Sequence, residues 1–191
     1  MKYFAYGSNC SPAVMARKRV AYRSRRAGKL AGFELQFNKL AFRGYLPAGV
    51  GYANVRKQIG AVVEGALYEI VDDDAEALDR SERFPNHYRR IDVVVEMSCG
   101  NTVPCVAYQA APDKVGRELC PTRTYLQHLL AAEDLVSGSY FDKLQQVKVF
   151  EGECDRCRLT DEVIFIQTEQ QVRQFCPKCH QANPVSGTIR G

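Results

Sequence analysis
Two Cys-x-x-Cys pairs, Cys154-Asp155-Arg156-Cys157 and Cys176-Pro177-Lys178-Cys179, constrain what the end of this chain can fold into. Each pair makes a tight knuckle that delivers two sulfurs to one ion. The 18 residues between the pairs fall inside the gap of about 15–20 that zinc sites use. Thiolates are soft ligands that suit tetrahedral zinc, and four of them leave no open position for water, so the predicted role of zinc is structural. Between the knuckles, Val163-Ile164-Phe165-Ile166-Gln167-Thr168 and Val172-Arg173-Gln174-Phe175 read as strands. A segment of about 40 residues can scarcely bury a core alone, so metal binding is expected to supply its stability. The composition shifts at Glu151, and residues 151–191 therefore read as a zinc ribbon. His180 directly follows Cys179 and reads as a bystander. Cys10, Cys99, Cys105 and Cys120 have no metal spacing and read as small buried hydrophobes.

At 191 residues the chain has room for one full domain ahead of this module. Its net charge of +4 is too mild to imply nucleic acid. The basic residues Arg17, Lys18, Arg19, Arg23, Arg25, Arg26 and Lys29 read as a solvated helix face and loop. No run of about 18 apolar residues occurs, so no transmembrane helix and no membrane partner is predicted. No charged segment followed by a long apolar core opens the chain, so no secretory signal is predicted. Eight cysteines without an export signal favour metal binding over disulfides and a cytoplasmic location.

The first part of the chain alternates strand-like and turn-like segments, which predicts the α+β class. Lys2-Tyr3-Phe4-Ala5-Tyr6 reads as a buried strand that breaks into Gly7-Ser8-Asn9. Ser11 is a predicted N-cap and Pro12 a predicted first helical residue. Backbone donors at such a loop can cradle a carboxylate or stabilise a developing oxyanion. Further predicted elements are a strand over residues 32–37, a long loop from Tyr45 to Asn54 and a strand over residues 59–70. A helix from near Asp72 to Glu82 follows, then a strand from Ile91. Val93–Met97 and Thr102–Tyr108 make a hairpin, and Thr124–Leu135 has helical spacing. Tyr140–Val149 is a short helix or strand. There is no P-loop, no dinucleotide fingerprint and no Ser-His-Asp context among three histidines.

In this order the segments resemble the gamma-glutamylcyclotransferase superfamily, which includes the AIG2-like proteins. The resemblance is carried by Tyr6-Gly7-Ser8-Asn9, by Glu82 after Leu78-Asp79, by Tyr88 six residues later and by Tyr108 in Val106-Ala107-Tyr108. Pro121–Leu126 and Gly138–Leu144 complete it, over roughly residues 1 to 149. It implies a mixed β-barrel with flanking helices as the catalytic domain, residues 1–150. The implied activity, of the lyase or acyltransferase type, releases 5-oxoproline from a small γ-glutamyl amino acid or γ-glutamyl amine when the substrate's own α-amine attacks the γ-amide. The resemblance implies Glu82 as general acid/base, and Gly7, Ser8 and Asn9 as donors to the oxyanion. Tyr6, Tyr88, Tyr108 and Tyr125 are implied as pocket walls. No cofactor is implied for catalysis. Cys10 stands where the family usually has an aliphatic residue.

The ribbon is not part of the common family pattern. It keeps open a second reading: a non-catalytic cyclotransferase-like module whose ribbon docks protein or, less favoured by its charge, nucleic acid. The implied catalytic residues all precede residue 150, so the ribbon is expected to be separable from the chemistry.

Overall fold
The computed structural model of the protein describes residues 1–42, 46–71, 74–169 and 171–190. Tyr45, Asp72 and Gly191, which bound predicted segments, lie outside the described residues. The apolar run at the start forms β1 (Lys2–Ala5), in which Tyr3, Phe4 and Ala5 are buried. Both of its edges are taken. It pairs antiparallel with β3 (Gly51–Ile70) and parallel, at Tyr3 and Val106, with β5 (Thr102–Ala110). β2 (Tyr22–Leu40) runs antiparallel to β3 and meets β4 (Tyr88–Met97) at Gly28–Met97. β4 and β5 form the predicted hairpin, and the order β1-β3-β2-β4-β5 closes into a mixed barrel. Phe4, Leu30, Val55, Val63, Val95 and Ala107 belong to one buried cluster; Tyr3, Met15, Val20, Tyr68, Leu78, Tyr88 and Tyr108 belong to another.

The strands are longer than predicted. β2 has 19 residues and β3 has 20, and Gly51–Asn54 belong to β3 instead of the predicted loop. The reason lies in Gly51. A Cβ there would stand 2.3 Å from the Phe37 carbonyl oxygen, so this glycine permits a close strand approach.

The helices sit at the ends of the strands. A 3-10 turn over Ser8–Cys10 leads into α1 (Pro12–Arg17), with Ser11 at the N-cap and Pro12 first, as predicted. α2 (Ala75–Glu82) stops where Arg83 takes a left-handed conformation at φ 52°. α3 (Arg123–Leu130) is capped by the Thr122 hydroxyl, which accepts from Tyr125 N at 3.0 Å. It ends five residues before the predicted Leu135, in a run of turns. α4 (Gly138–Gln145) follows. No helix among the described residues is long and apolar enough to cross a membrane.

The C-terminal segment holds β6 (Glu151–Glu153), β7 (Thr160–Glu162), β8 (Ile164–Gln167), β9 (Val172–Phe175), α5 (Pro177–Ala182) and β10 (Thr188–Arg190). β6 pairs with β7, and β8 lies between β10 and β9. Cys154, Ile166, Phe175 and Cys176 are its own buried cluster.

Candidate active site
The eight residues singled out ahead of the ribbon come from five different elements, and all eight line one cleft of about 190 Å³. Tyr6, Gly7, Ser8 and Asn9 follow β1, Glu82 ends α2, Tyr88 opens β4, Tyr108 lies on β5 and Tyr125 on α3.

Glu82 is 9% exposed, and its two oxygens differ. Oε1 accepts from Asn9 Nδ2 at 2.9 Å, from Lys18 Nζ at 2.7 Å and, at longer range, from Ser81 Oγ at 3.4 Å. Oε2 accepts no hydrogen bond among the described residues. Asn9 is the hinge of this network. Its amide also donates to the Tyr3 hydroxyl at 2.8 Å, and its Oδ1 accepts from Lys18 at 2.7 Å. A carboxylate out of water needs such partners to remain charged.

Lys18 departs from the solvated face on which the sequence reading set it. Only 20% of its side chain is exposed, and it stands four residues after Val14, which also lines the cleft. That i, i+4 spacing on one helix face is the signal that finds it. Tyr3, Phe42, Tyr52, Ala53 and Ser81 line the cleft as well and belong to no motif. Asp79 and Glu64, the other carboxylates near this region, are engaged elsewhere. Asp79 accepts from Arg90 at 2.9 and 2.5 Å and from the Tyr108 hydroxyl at 2.5 Å, and Glu64 holds Ser137 ahead of α4.

The tyrosines are tied to the protein as much as to the cleft. The Tyr6 hydroxyl donates to the Tyr108 carbonyl, and the Tyr88 hydroxyl to the Ala53 carbonyl at 2.9 Å. Tyr125 is different: its hydroxyl accepts from Ala53 N at 3.2 Å, and the Ser8 backbone N–H also faces it. The Tyr125 O–H proton is therefore not spent on the described residues. Burial, with the Glu82 charge among the further causes, pushes Tyr3, Tyr6, Tyr88 and Tyr125 above the usual phenol range. All four are neutral donors at neutral pH. Gly7 is needed for this packing, since a Cβ there would lie 3.1 Å from both Ala53 Cβ and the Tyr125 hydroxyl.

One cation lies behind the cleft wall. Lys39 is fully buried, donates to the Leu40 carbonyl and sits 4.4 Å over the Phe42 ring and 5.4 Å over that of Tyr88. Burial, and next the nearby Lys114 charge, push its ammonium down to about 8. Arg83 stands 5.3 Å over the same Phe42 ring. Arg17 is an exposed lining residue, and no carboxylate pairs with it among the described residues.

The four ribbon cysteines form a second centre. Their Sγ atoms lie within 4.8 Å of one another, and Cys157 and Cys176 are 3.9 Å apart. Tetrahedral zinc with bonds of about 2.3 Å needs sulfurs about 3.8 Å apart, so this donor set fits such an ion. The set can hold a metal, and His180 is not part of it. Cys10 is buried as expected; its thiol donates to the Ala5 carbonyl at 3.2 Å, and burial pushes it up to about 12, out of reach of nucleophilic duty.

The fold is similar to those of solved gamma-glutamyl cyclotransferases. A structure titled gamma-glutamyl cyclotransferase is 21% identical over 84% of this chain and 93% of its own, with a TM-score of 0.67. A Homo sapiens protein described as uncharacterized is 22% identical over 78% of this chain and 88% of its own, also at 0.67. A yeast cyclotransferase described as specific to glutathione is 15% identical over 75% of this chain and 93% of its own, at 0.55. No curated protein sequence matches the chain. The family model for gamma-glutamyl cyclotransferase, AIG2-like, matches residues 3–127, and the chain belongs to that family.

Proposed function
We propose that the cleft cyclises γ-glutamyl compounds to 5-oxoproline and a free amine or amino acid, with residues 1–150 carrying the chemistry. The observation behind this reading is Glu82: a buried carboxylate with one oxygen fixed by Asn9 and Lys18 and the other unbonded among the described residues, in a cleft walled by neutral hydroxyls. In the proposed sequence Glu82 Oε2 takes a proton from the substrate's α-ammonium. The freed α-nitrogen attacks the γ-amide carbon, and the carbonyl electron pair moves onto oxygen. Backbone N–H groups of Gly7, Ser8 and Asn9 and the Tyr125 hydroxyl meet that charge. Tyr6, Tyr88 and Tyr108 hold the glutamyl chain folded, which lowers the entropic barrier to ring closure. As the carbonyl re-forms and the amide C–N bond breaks, the leaving nitrogen takes the proton back from Glu82; the ring nitrogen, left with one proton too many, then passes it through the same carboxylate to the departing amine, which leaves as an ammonium. Protons and electron pairs balance without water.

Charge at the mouth narrows the leaving group. Arg17 lines the cleft with no carboxylate partner among the described residues, Arg83 stands over the Phe42 ring of the lining with Lys39 buried behind it, and Asp79 is spent on Arg90 and Tyr108. His87 and His128 are both held below the usual histidine range, first by burial and then by these cations: Lys39 and Arg83 beside His87, Arg17 and Lys18 beside His128. A positive mouth favours a leaving group that carries a carboxylate, an amino acid or peptide, over a plain or cationic amine. The ribbon's ion is proposed to be zinc in a structural role, and the eight free thiols suit a reducing, cytoplasmic setting.

The test is 5-oxoproline release by the zinc-loaded protein from γ-glutamyl-alanine, glutathione and γ-glutamyl-ethylamide. Release from the first is expected. No release from any of the three overturns the reading and leaves a non-catalytic ligand-binding module.

A further inference from the structure
Among the described residues, two contacts that join the ribbon to the barrel lead to one pair of rings in the cleft. Glu162, at the end of β7, accepts from Arg123 Nε at 3.0 Å and from its terminal nitrogen at 2.6 Å. Arg123 is the first residue of α3, and two residues later Tyr125 enters the cleft. The stretch before α3 is held from the same side, because Phe150 N donates to the Pro121 carbonyl at 2.8 Å just ahead of β6. The second contact is apolar. Val163 and Phe165 of the ribbon bury themselves against Leu46 and Val50, and Tyr52 packs on this cluster while lining the cleft. The Tyr52 and Tyr125 rings are 4.9 Å apart, and the Tyr125 hydroxyl accepts from the amide of Ala53, next to Tyr52.

Arg–carboxylate forks fix geometry as well as charge. This one is about one-third exposed, so its role is orientation more than stability. The apolar contact supplies the adhesion. The ribbon strands that make both contacts are anchored to the cysteine centre. Asp155 N donates to the Gln174 carbonyl at 2.9 Å, Gln174 N donates back to the Asp155 carboxylate at 2.9 Å, and Cys154 and Cys176 pack with Ile166 and Phe175.

We propose that the ribbon buttresses the Tyr52–Tyr125 wall of the cleft, with Glu162 and Val163 as positioning residues, so that substrate binding depends on the ribbon being folded around its metal. This goes against the separability that the sequence alone leads one to expect. It uses the cyclotransferase reading only for its kinetic arm.

The full chain is measured in three forms: wild type, Glu162→Ala and the charge swap Arg123→Glu/Glu162→Arg. Hydrogen–deuterium exchange is followed in residues 50–56 and 123–130, with β1 and the β4–β5 hairpin as internal references. Glu162→Ala is expected to speed exchange at 123–130 and to raise KM for γ-glutamyl-alanine about three- to tenfold with kcat less affected, a loss of roughly 1 kcal/mol. The charge swap is expected to restore both. Chelator-stripped wild type is expected to exchange faster at 50–56 and 123–130 and to recover on adding Zn²⁺. Unchanged exchange in both segments after metal loss, or a rise spread equally over the reference strands, overturns the proposal. The exchange arm decides this even if no γ-glutamyl compound is turned over, so its failure is separate from that of the proposed reaction.

Discussion

At the scale of single residues, the cleft depends on a division of labour within one carboxylate. Glu82 Oε1 is anchored, and Oε2, the proposed proton carrier, accepts no hydrogen bond among the described residues. Glu82→Gln keeps an oxygen for Asn9 and Lys18 but removes the proton acceptor. It is expected to lower 5-oxoproline release by roughly 10² to 10⁴ while leaving the thermal unfolding curve almost unchanged. Equal rates in wild type and variant would remove Glu82 from the mechanism. Arg17→Gln tests the mouth. It is expected to raise KM for γ-glutamyl-alanine about three- to tenfold and to leave γ-glutamyl-ethylamide unaffected, since only the first has a carboxylate on its leaving group for the guanidinium. A parallel loss on both substrates would mean that Arg17 does not select the leaving group. The tyrosine hydroxyls show why such assignments need coordinates. Tyr6 and Tyr88 donate to backbone carbonyls that no side-chain motif records, and this leaves Tyr125 as the hydroxyl with a proton to offer from the predicted set.

At the scale of elements, β2 carries a charge into the interior. Lys39 is fully buried with two aromatic rings beside it and an ammonium lowered to about 8 against roughly 10.4 for a free lysine. The native state therefore binds this proton less tightly than the unfolded chain. The cost to stability is complete below about pH 8, shrinks as pH rises through that window and is gone above about 10.4. Lys39→Met is expected to raise Tm at pH 7 by a few degrees, with the advantage fading between pH 8 and 10.4. A difference that stays constant across that range would mean that the charge is not what burial costs. Much of this level was legible in the sequence. The Tyr6–Asn9 loop, the β4–β5 hairpin and the Pro12 helix start follow from local rules. Gly51–Asn54 did not, because a glycine that permits strands to approach looks like a glycine that makes a turn. Lys18 was hidden for another reason. Its partner Glu82 is 64 residues away, and within a basic run only the i, i+4 spacing from Val14 marks it as facing inward.

At the scale of the whole molecule, a barrel and a ribbon built around four cysteines share an apolar seam of Leu46, Val50, Val163 and Phe165. One zinc ion per chain is expected from metal analysis of protein purified without chelator, and Cys176→Ser is expected to lose it together with the ribbon's fold. A disulfide among these four cysteines, in place of metal, would contradict that. The Tyr3–Val106 pairing has a consequence for how the chain is made. β1 finds its parallel neighbour only after β5 has been synthesised. Until then one edge of β1 is bare, and the Gly7–Asn9 loop that follows it has no Glu82 to meet before α2 emerges. Tyr125 and then the ribbon arrive later still. A growing chain therefore holds the pieces of the cleft without the cleft, whose lining is complete only once α3 has been synthesised.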